Sequence, residues 1–485
     1  FLQDDGLVGS VASTTILQGS RPQPISFSKS HYSVSSRLGI SPVNDFKPVI
    51  LRPQIKETST ESRGLDGLVL SSQSDTFEYD DYGNPKLIRT VFGDGSGSET
   101  GNHYQPAGEI WHLGRLNKSV VKLFAPNLKE QIRTATFEYS PHSGQLLKET
   151  SLVGTEYEIS TAYKRDAFGN KTTSTVSVKT GEPSRSASVT FDSLGRFPQT
   201  SINQLGHTSS LEFDDVSGSV ISRVDPNGIR ATYEFDSLDR LRKEVAPTGV
   251  VTKTETRFET TSPHFSFSVT KTTEGLPPIT TFYDATGRPR QENSVGFEGK
   301  HVLVEYEYDA LGRLVSSSQP RFKGSPSYSI KKSYDELDRV VQEQQPDKSV
   351  VKTRFNALET TVTDALDRTT VIHKDLRGRT VKTTDPMKGD THFYYDVAGK
   401  TFRIVNALNQ ASTIEYDLAG HRRALDDSAL GVWSYKYNGF SELVEQVDPR
   451  GEQINLKYDQ IGRLIERKTR SGVAEYYYDE VKGEP

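Results

Sequence analysis

Through most of this chain apolar and polar side chains alternate in short runs, and an aromatic residue closes every second run. Ile454, Leu456 and Tyr458 sit at alternate positions, as do Trp433, Tyr435 and Tyr437. A period of two is that of a β-strand with one shielded face and one wet face. The closing aromatic is followed by Asp or Asn, as in Tyr395-Asp396, Tyr416-Asp417, Tyr437-Asn438, Tyr458-Asp459 and Tyr478-Asp479, spaced by 21, 21, 21 and 20 residues. Tyr334-Asp335, Phe355-Asn356 and Lys374-Asp375 continue this phase upstream, with Tyr283-Asp284 and Tyr308-Asp309 at longer intervals. Phe191-Asp192, Phe213-Asp214 and Phe235-Asp236 are degenerate copies.

Several copies extend to aromatic-Asp-x-x-Gly/Asp-Arg-Leu/Val. Tyr308-Asp309-Ala310-Leu311-Gly312-Arg313-Leu314 and Tyr458-Asp459-Gln460-Ile461-Gly462-Arg463-Leu464 are two of them. After the strand the chain must turn. Asp supplies a side chain that caps backbone amides, Gly or Asp tolerates positive φ, and Arg-Leu starts the return strand. A second turn lies between successive signatures, at Asp225-Pro226-Asn227-Gly228, Asp385-Pro386 and Asp448-Pro449-Arg450-Gly451. A period near 21 holds two strands of about six or seven residues and two turns, with no room for a helix. Each copy therefore reads as one β-hairpin. Single hairpins of this size cannot bury an apolar face alone, so neighbours must share it. The expected fold is all-β: antiparallel hairpins following one another in one long, spiralling sheet.

Composition agrees with a thin wall. The hydrophobic share is 33%; leaving out 22 Tyr and counting 38 Gly brings it to about 36%, against roughly 45–50% for a globular chain. With 59 basic and 64 acidic residues the net charge is −5, which gives no electrostatic footprint for nucleic acid. There is no cysteine, so no disulfide or thiolate metal site. No apolar run is long enough to span a membrane, and the first residues are not a signal region. The abrupt start and end read as an excised piece of a longer protein, and its open array is expected to self-associate through unpaired edge strands.

The Tyr-Asp-x-x-Gly-Arg-Leu repeat at this period resembles the Rhs/YD-repeat family over residues 71–485. The early motifs Tyr79-Asp80-Asp81-Tyr82-Gly83-Asn84, Trp111-His112-Leu113-Gly114-Arg115-Leu116 and Arg165-Asp166-Ala167-Phe168-Gly169-Asn170 are similar to those of Rhs proteins related to the B component of insecticidal Tc toxins. The resemblance implies a hollow Rhs shell enclosing a toxic C-terminal domain, in a bacterial protein that is secreted or at the cell surface. Its implied partners are the rest of the shell, that toxin domain and a delivery or translocation component, with no nucleic acid and no membrane insertion by this segment. The alternative is an extracellular adhesion or carbohydrate-binding module.

Residues 1–70 read as a pre-repeat β region or shell entrance, with strand-like Pro48-Val49-Ile50-Leu51; residues 71–185 as divergent early repeats with a flexible loop at 93–103; and residues 186–485 as the regular array. The signature residues Tyr308, Asp309, Gly312, Arg313, Tyr334, Asp335, Arg339, Tyr395, Asp396, Tyr416, Asp417, Tyr437, Tyr458, Asp459, Gly462 and Arg463 are assigned structural roles. The aspartates are turn caps, because a catalytic acid or calcium ligand need not recur at every turn. The arginines are expected to pair with acids of the adjacent hairpin.

No catalytic, cofactor or metal residue is assigned. Gly399-Lys400-Thr401 mimics the end of a phosphate loop, but Tyr394 stands where that motif needs Gly. Gly93, Gly95 and Gly97 miss the dinucleotide spacing, and the ten histidines lack ligand spacing. Asp225-Pro226-Asn227-Gly228-Ile229 and Asp448-Pro449-Arg450-Gly451-Glu452 lack the Leu of the self-cleaving core that the resemblance implies, so they read as turns and that core is expected after Pro485.

Overall fold

The structure, a computed structural model, describes residues 10–17, 24–38, 49–105, 114–259 and 264–479. Pro48 and the Trp111-His112-Leu113 part of one early motif lie outside them. The described residues form 39 strands, all paired antiparallel, and one short 3-10 turn at Phe297–Gly299. Pairing follows chain order. Ala411–Tyr416 pairs with Thr401–Val405 on one side and Arg422–Asp427 on the other, and the same succession holds along nearly the whole sheet.

One departure explains a long interval between signatures. The extra residues between Leu314–Ser318 and Ser329–Tyr334 send out the two-residue strand Arg321–Phe322, which pairs with Val302 and Leu303 of His301–Tyr308. The two flanking strands then pair directly, so phase is kept.

The wall is one layer thick. Only Ala231, Leu303 and Val397 are buried apolar residues among those described, and no large side chain is fully buried. The exposed area is 30410 Å², whereas a compact globule of this mass would expose about 18,000 Å². The alternation read from sequence is visible in Gly431–Tyr437, where Trp433, Tyr435 and Tyr437 are half-buried while Val432, Ser434 and Lys436 are exposed.

The expected loop at 93–103 is not a loop. Gly93 to Ser96 form a tight turn in which the Gly95 amide bonds the Phe92 carbonyl. Gly97–Tyr104 is then a strand paired on both sides, with Pro85–Phe92 and Leu116–Phe124. Gly and Ser fit there because the neighbouring backbones approach closely: a Cβ on Gly97 would stand on the Thr90 carbonyl and the Phe124 ring.

Candidate functional site

At six signatures the strand register slips by one residue just before the aromatic, at Glu307/Tyr308, Ser333/Tyr334, Tyr394/Tyr395, Glu415/Tyr416, Lys436/Tyr437 and Lys457/Tyr458, while Phe355-Asn356 pairs without a slip. This is a bulge, and it needs a left-handed residue. Gly312 and Gly462 have φ of 84° and 85°, and Asp338 takes the same place with φ 60°. Asp309 Oδ1 accepts from the amides of Leu311 and Arg313 at 3.0 and 2.9 Å, while Oδ2 accepts from Arg313 Nε at 2.7 Å. Asp335 with Arg339 and Asp459 with Arg463 repeat the pattern, and Asp396 and Asp417 cap the amides of Lys400 and His421. The amide bonds, led by that of Arg313, hold the Asp309 carboxyl below its usual range.

The arginines bind within their own turn, and Arg313 and Arg463 also make the expected pairing with an acid of the next hairpin. Arg313 reaches Asp338 and Arg463 reaches Asp479, as Arg196 reaches Asp215, while Arg339 pairs with its own Asp335. Their main reach across is aromatic. Arg313 lies 4.9 Å from the Tyr334 ring centroid, Arg339 4.1 Å from Phe355, Arg379 4.7 Å from Tyr395 and Arg463 4.4 Å from Tyr478. Lys400 does the same to Tyr416, and His421 stacks on Tyr437 at 4.6 Å. In return, the aromatic's hydroxyl donates backward to the carbonyl of the residue that opens the previous signature's return strand: Tyr334 to Leu314 at 2.7 Å, Tyr395 to Thr380, Tyr416 to Thr401 and Tyr458 to Leu443. A signature with both Tyr and a base thus locks itself and grips its neighbour. Tyr308 takes its place in the same ladder beneath Arg288.

The signature turns all lie on one edge of the strip, and the plain turns lie on the other. The strip winds so that signature turns of a later coil meet plain turns of an earlier one. The Ala357 amide donates to Asp66 at 2.7 Å across 291 residues. Arg379 pairs with Asp94 at 3.0 Å, and Arg377 lies over Phe92 and donates to Ser96. Burial would raise the Asp94 carboxyl, but the Ser96 hydrogen bonds and the Arg379 and Arg377 charges outweigh it and hold it low. Arg185 donates to both carboxylate oxygens of Glu442 at 2.8 and 2.9 Å and stacks 3.8 Å from the Phe440 ring centroid. The Gly439 amide donates to Glu182 at 3.1 Å.

Sequence reading missed this seam, although one signal was present. Glu442 occupies the position where most later signature turns carry Arg, Lys or His. Its inverted charge is answered by Arg185 from the other coil. Among the described residues no three His, Asp or Glu side chains are grouped to hold a metal.

Residues 266–485 match the family described as the teneurin YD-shell. No curated protein matches the sequence. Among solved structures, TcdB2-TccC3-Cdc42 is similar with a TM-score of 0.75 and 10% identity, covering 98% of this chain and 35% of that one. TcdB2-TccC3 without its hypervariable C-terminal region gives 0.73 and 10%, covering 92% and 34%. The Photorhabdus luminescens Tc holotoxin pore gives 0.72 and 10%, covering 96% and 34%. The chain spans about a third of the length of these structures, and at such identity the likeness is one of fold. With the repeat signatures, these matches bear out the Rhs/YD-repeat resemblance and the spiralling all-β shell read from sequence.

Proposed function

We propose that this chain, a YD-repeat shell segment by its repeats and its fold, is a non-catalytic wall that encloses a toxic C-terminal domain until delivery. The observation that carries this reading is the seam. Edge-to-edge contacts across 257 to 291 residues turn a flat meander into stacked coils, which is what a container wall requires. The face bearing Trp433, Tyr435 and Tyr437 is the less exposed of the two, which supports a wall over an outward aromatic binding strip. The side chains at the turns serve geometry: Asp309, Asp335, Asp396, Asp417 and Asp459 each accept from amides of their own turn.

Its partners in this reading are the remainder of its shell, an enclosed toxin domain and a delivery component, and its location is secreted or at the cell surface. Limited proteolysis with mass spectrometry on the protein that carries this chain tests it. A cleaved C-terminal domain that co-purifies with the repeats and resists protease is the expected result. A C-terminal region that is digested as readily as a free domain would overturn encapsulation and favour an extracellular adhesion or carbohydrate-binding scaffold.

A further inference from the structure

The strip is made of near-identical hairpins, so backbone geometry alone does not say which signature turn seats on which plain turn. The 438–442 turn and the next one, 459–463, are capped alike. Asn438 Oδ1 accepts from the amides of Phe440 and Glu442 at 3.0 Å each, and Asp459 Oδ1 from those of Ile461 and Arg463 at 3.0 and 2.9 Å. A slip of one repeat would put one in the other's place without disturbing either hairpin. It would also change the coil by two strands, about 9–10 Å of girth.

The seats on the plain edge are unlike. At one, Gly93 and Asp94 receive Leu376 and Arg379: a Cβ on Gly93 would meet Leu376 Cδ1 at 2.7 Å, and Asp94 holds Arg379 at 3.0 Å. At another, size and charge are both reversed. Val178, Thr180 and Arg185 receive Gly439 and Glu442, and a Cβ on Gly439 would stand on the Val178 side chain and the Thr180 hydroxyl. The φ of Gly439 is not left-handed, so this glycine provides room, not a special backbone conformation. No other signature turn has Gly directly after its Asp or Asn, and none has an acid four residues after it.

We infer that Gly439 and Glu442 are a register key: they admit one signature turn to the 178–185 seat, and so set the number of strands in a coil and the girth of the wall. One repeat later the seat would meet Gln460 and Arg463; one repeat earlier, Leu418 and His421. Either slip forces a side chain onto Val178 and takes from Arg185 the acid that both its guanidinium nitrogens engage. The Gly93 seat does not discriminate in this way, because Val397 and Lys400 of the following turn offer the same kinds of group as Leu376 and Arg379. The key works within one chain and holds whether or not the shell encloses a toxin.

Cysteine cross-linking reads the register, since the chain has no cysteine of its own. The Cβ that Gly93 would carry lies 3.6 Å from the Leu376 Cβ, within the roughly 3.5–4.5 Å that a disulfide spans, so Gly93→Cys with Leu376→Cys reports the native register. Gly93→Cys with Val397→Cys reports a coil longer by one repeat. In the otherwise unaltered chain the first pair should link and the second should not. Exchanging segments 438–442 and 459–463 moves the key one repeat later and should reverse this outcome. Erasing the key alone, by Gly439→Gln with Glu442→Arg, should lower the first linkage several-fold. An exchanged chain that keeps its strands by circular dichroism yet still links through the first pair, or through neither, would overturn the key. If the exchanged chain does not fold, the erased key decides: linkage of the first pair at the unaltered yield would overturn it as well.

Discussion

Glu442 and Arg185 lie 257 residues apart and are joined by two parallel hydrogen bonds of 2.8 and 2.9 Å, with the side chains only 12% and 16% exposed. Bidentate pairing of this kind is directional as well as charged. Glu442→Arg would bring the turn into line with its repeats and yet set two guanidinium groups against each other. It should destabilise the chain by about 2–3 kcal/mol, because it leaves a poorly solvated charge without its partner. Arg185→Glu combined with Glu442→Arg should recover part of the loss. Urea denaturation reads both; a Glu442→Arg protein as stable as the wild type would mean the seam carries no weight.

The Tyr334 hydroxyl bonds the Leu314 carbonyl while its ring lies beside Arg313. Tyr334→Phe keeps the ring and should cost about 1 kcal/mol. Tyr334→Ala loses the ring as well, and should cost at least twice as much. Equal costs for the two would show that the stacking contributes nothing.

Acid should loosen the array through its turns. The Asp236 carboxyl is held at about 2, first by the Arg240 side-chain hydrogen bond and then by backbone amides. An unfolded Asp titrates near 4. A folded value below the unfolded one means that the stabilisation is complete above pH ~4 and is lost as pH falls toward ~2. Asp309 and Asp364 are displaced in the same direction. Stability measured against pH should therefore begin to fall near 4; a decline that begins near 6 would point to histidine instead.

Lys388 closes the Asp385 turn with φ of 66°, a left-handed conformation that strains any residue with a Cβ. Lys388→Gly should raise stability by up to about 1 kcal/mol, the relief of strain being partly offset by the freedom of glycine when unfolded. A lower melting temperature would refute this.

Gly97–Tyr104 pairs on both sides, so its amides should exchange slowly with solvent despite the Gly- and Ser-rich sequence. Native-state hydrogen exchange and protease mapping check this. Rapid exchange, or a first cleavage within the strand, would restore the loop expected from composition.

The hairpin period, the turn chemistry and the all-β class were legible because they are written within 21 residues and repeated. Local spelling also gave the capping role of Asp309 and the left-handed role of Gly312. The reach of Arg313 to Asp338 of the next hairpin was expected, whereas its equally short bond to its own Asp309 and its place beside the Tyr334 ring were not. The 93–103 stretch misled because composition alone cannot reveal two neighbouring strands that tolerate small residues. The seam was least legible: Arg185 belongs to no repeat signature, and its partner is 257 residues away. Only the misplaced charge of Glu442 marked it.

That separation also sets a clock. A ribosome adding about 5–20 residues per second needs roughly 13 to 50 s to make the 257 residues between Arg185 and Glu442. Through that interval the first coil must persist with its plain edge bare, held by signature-to-neighbour grips alone, before the second coil arrives to close over it.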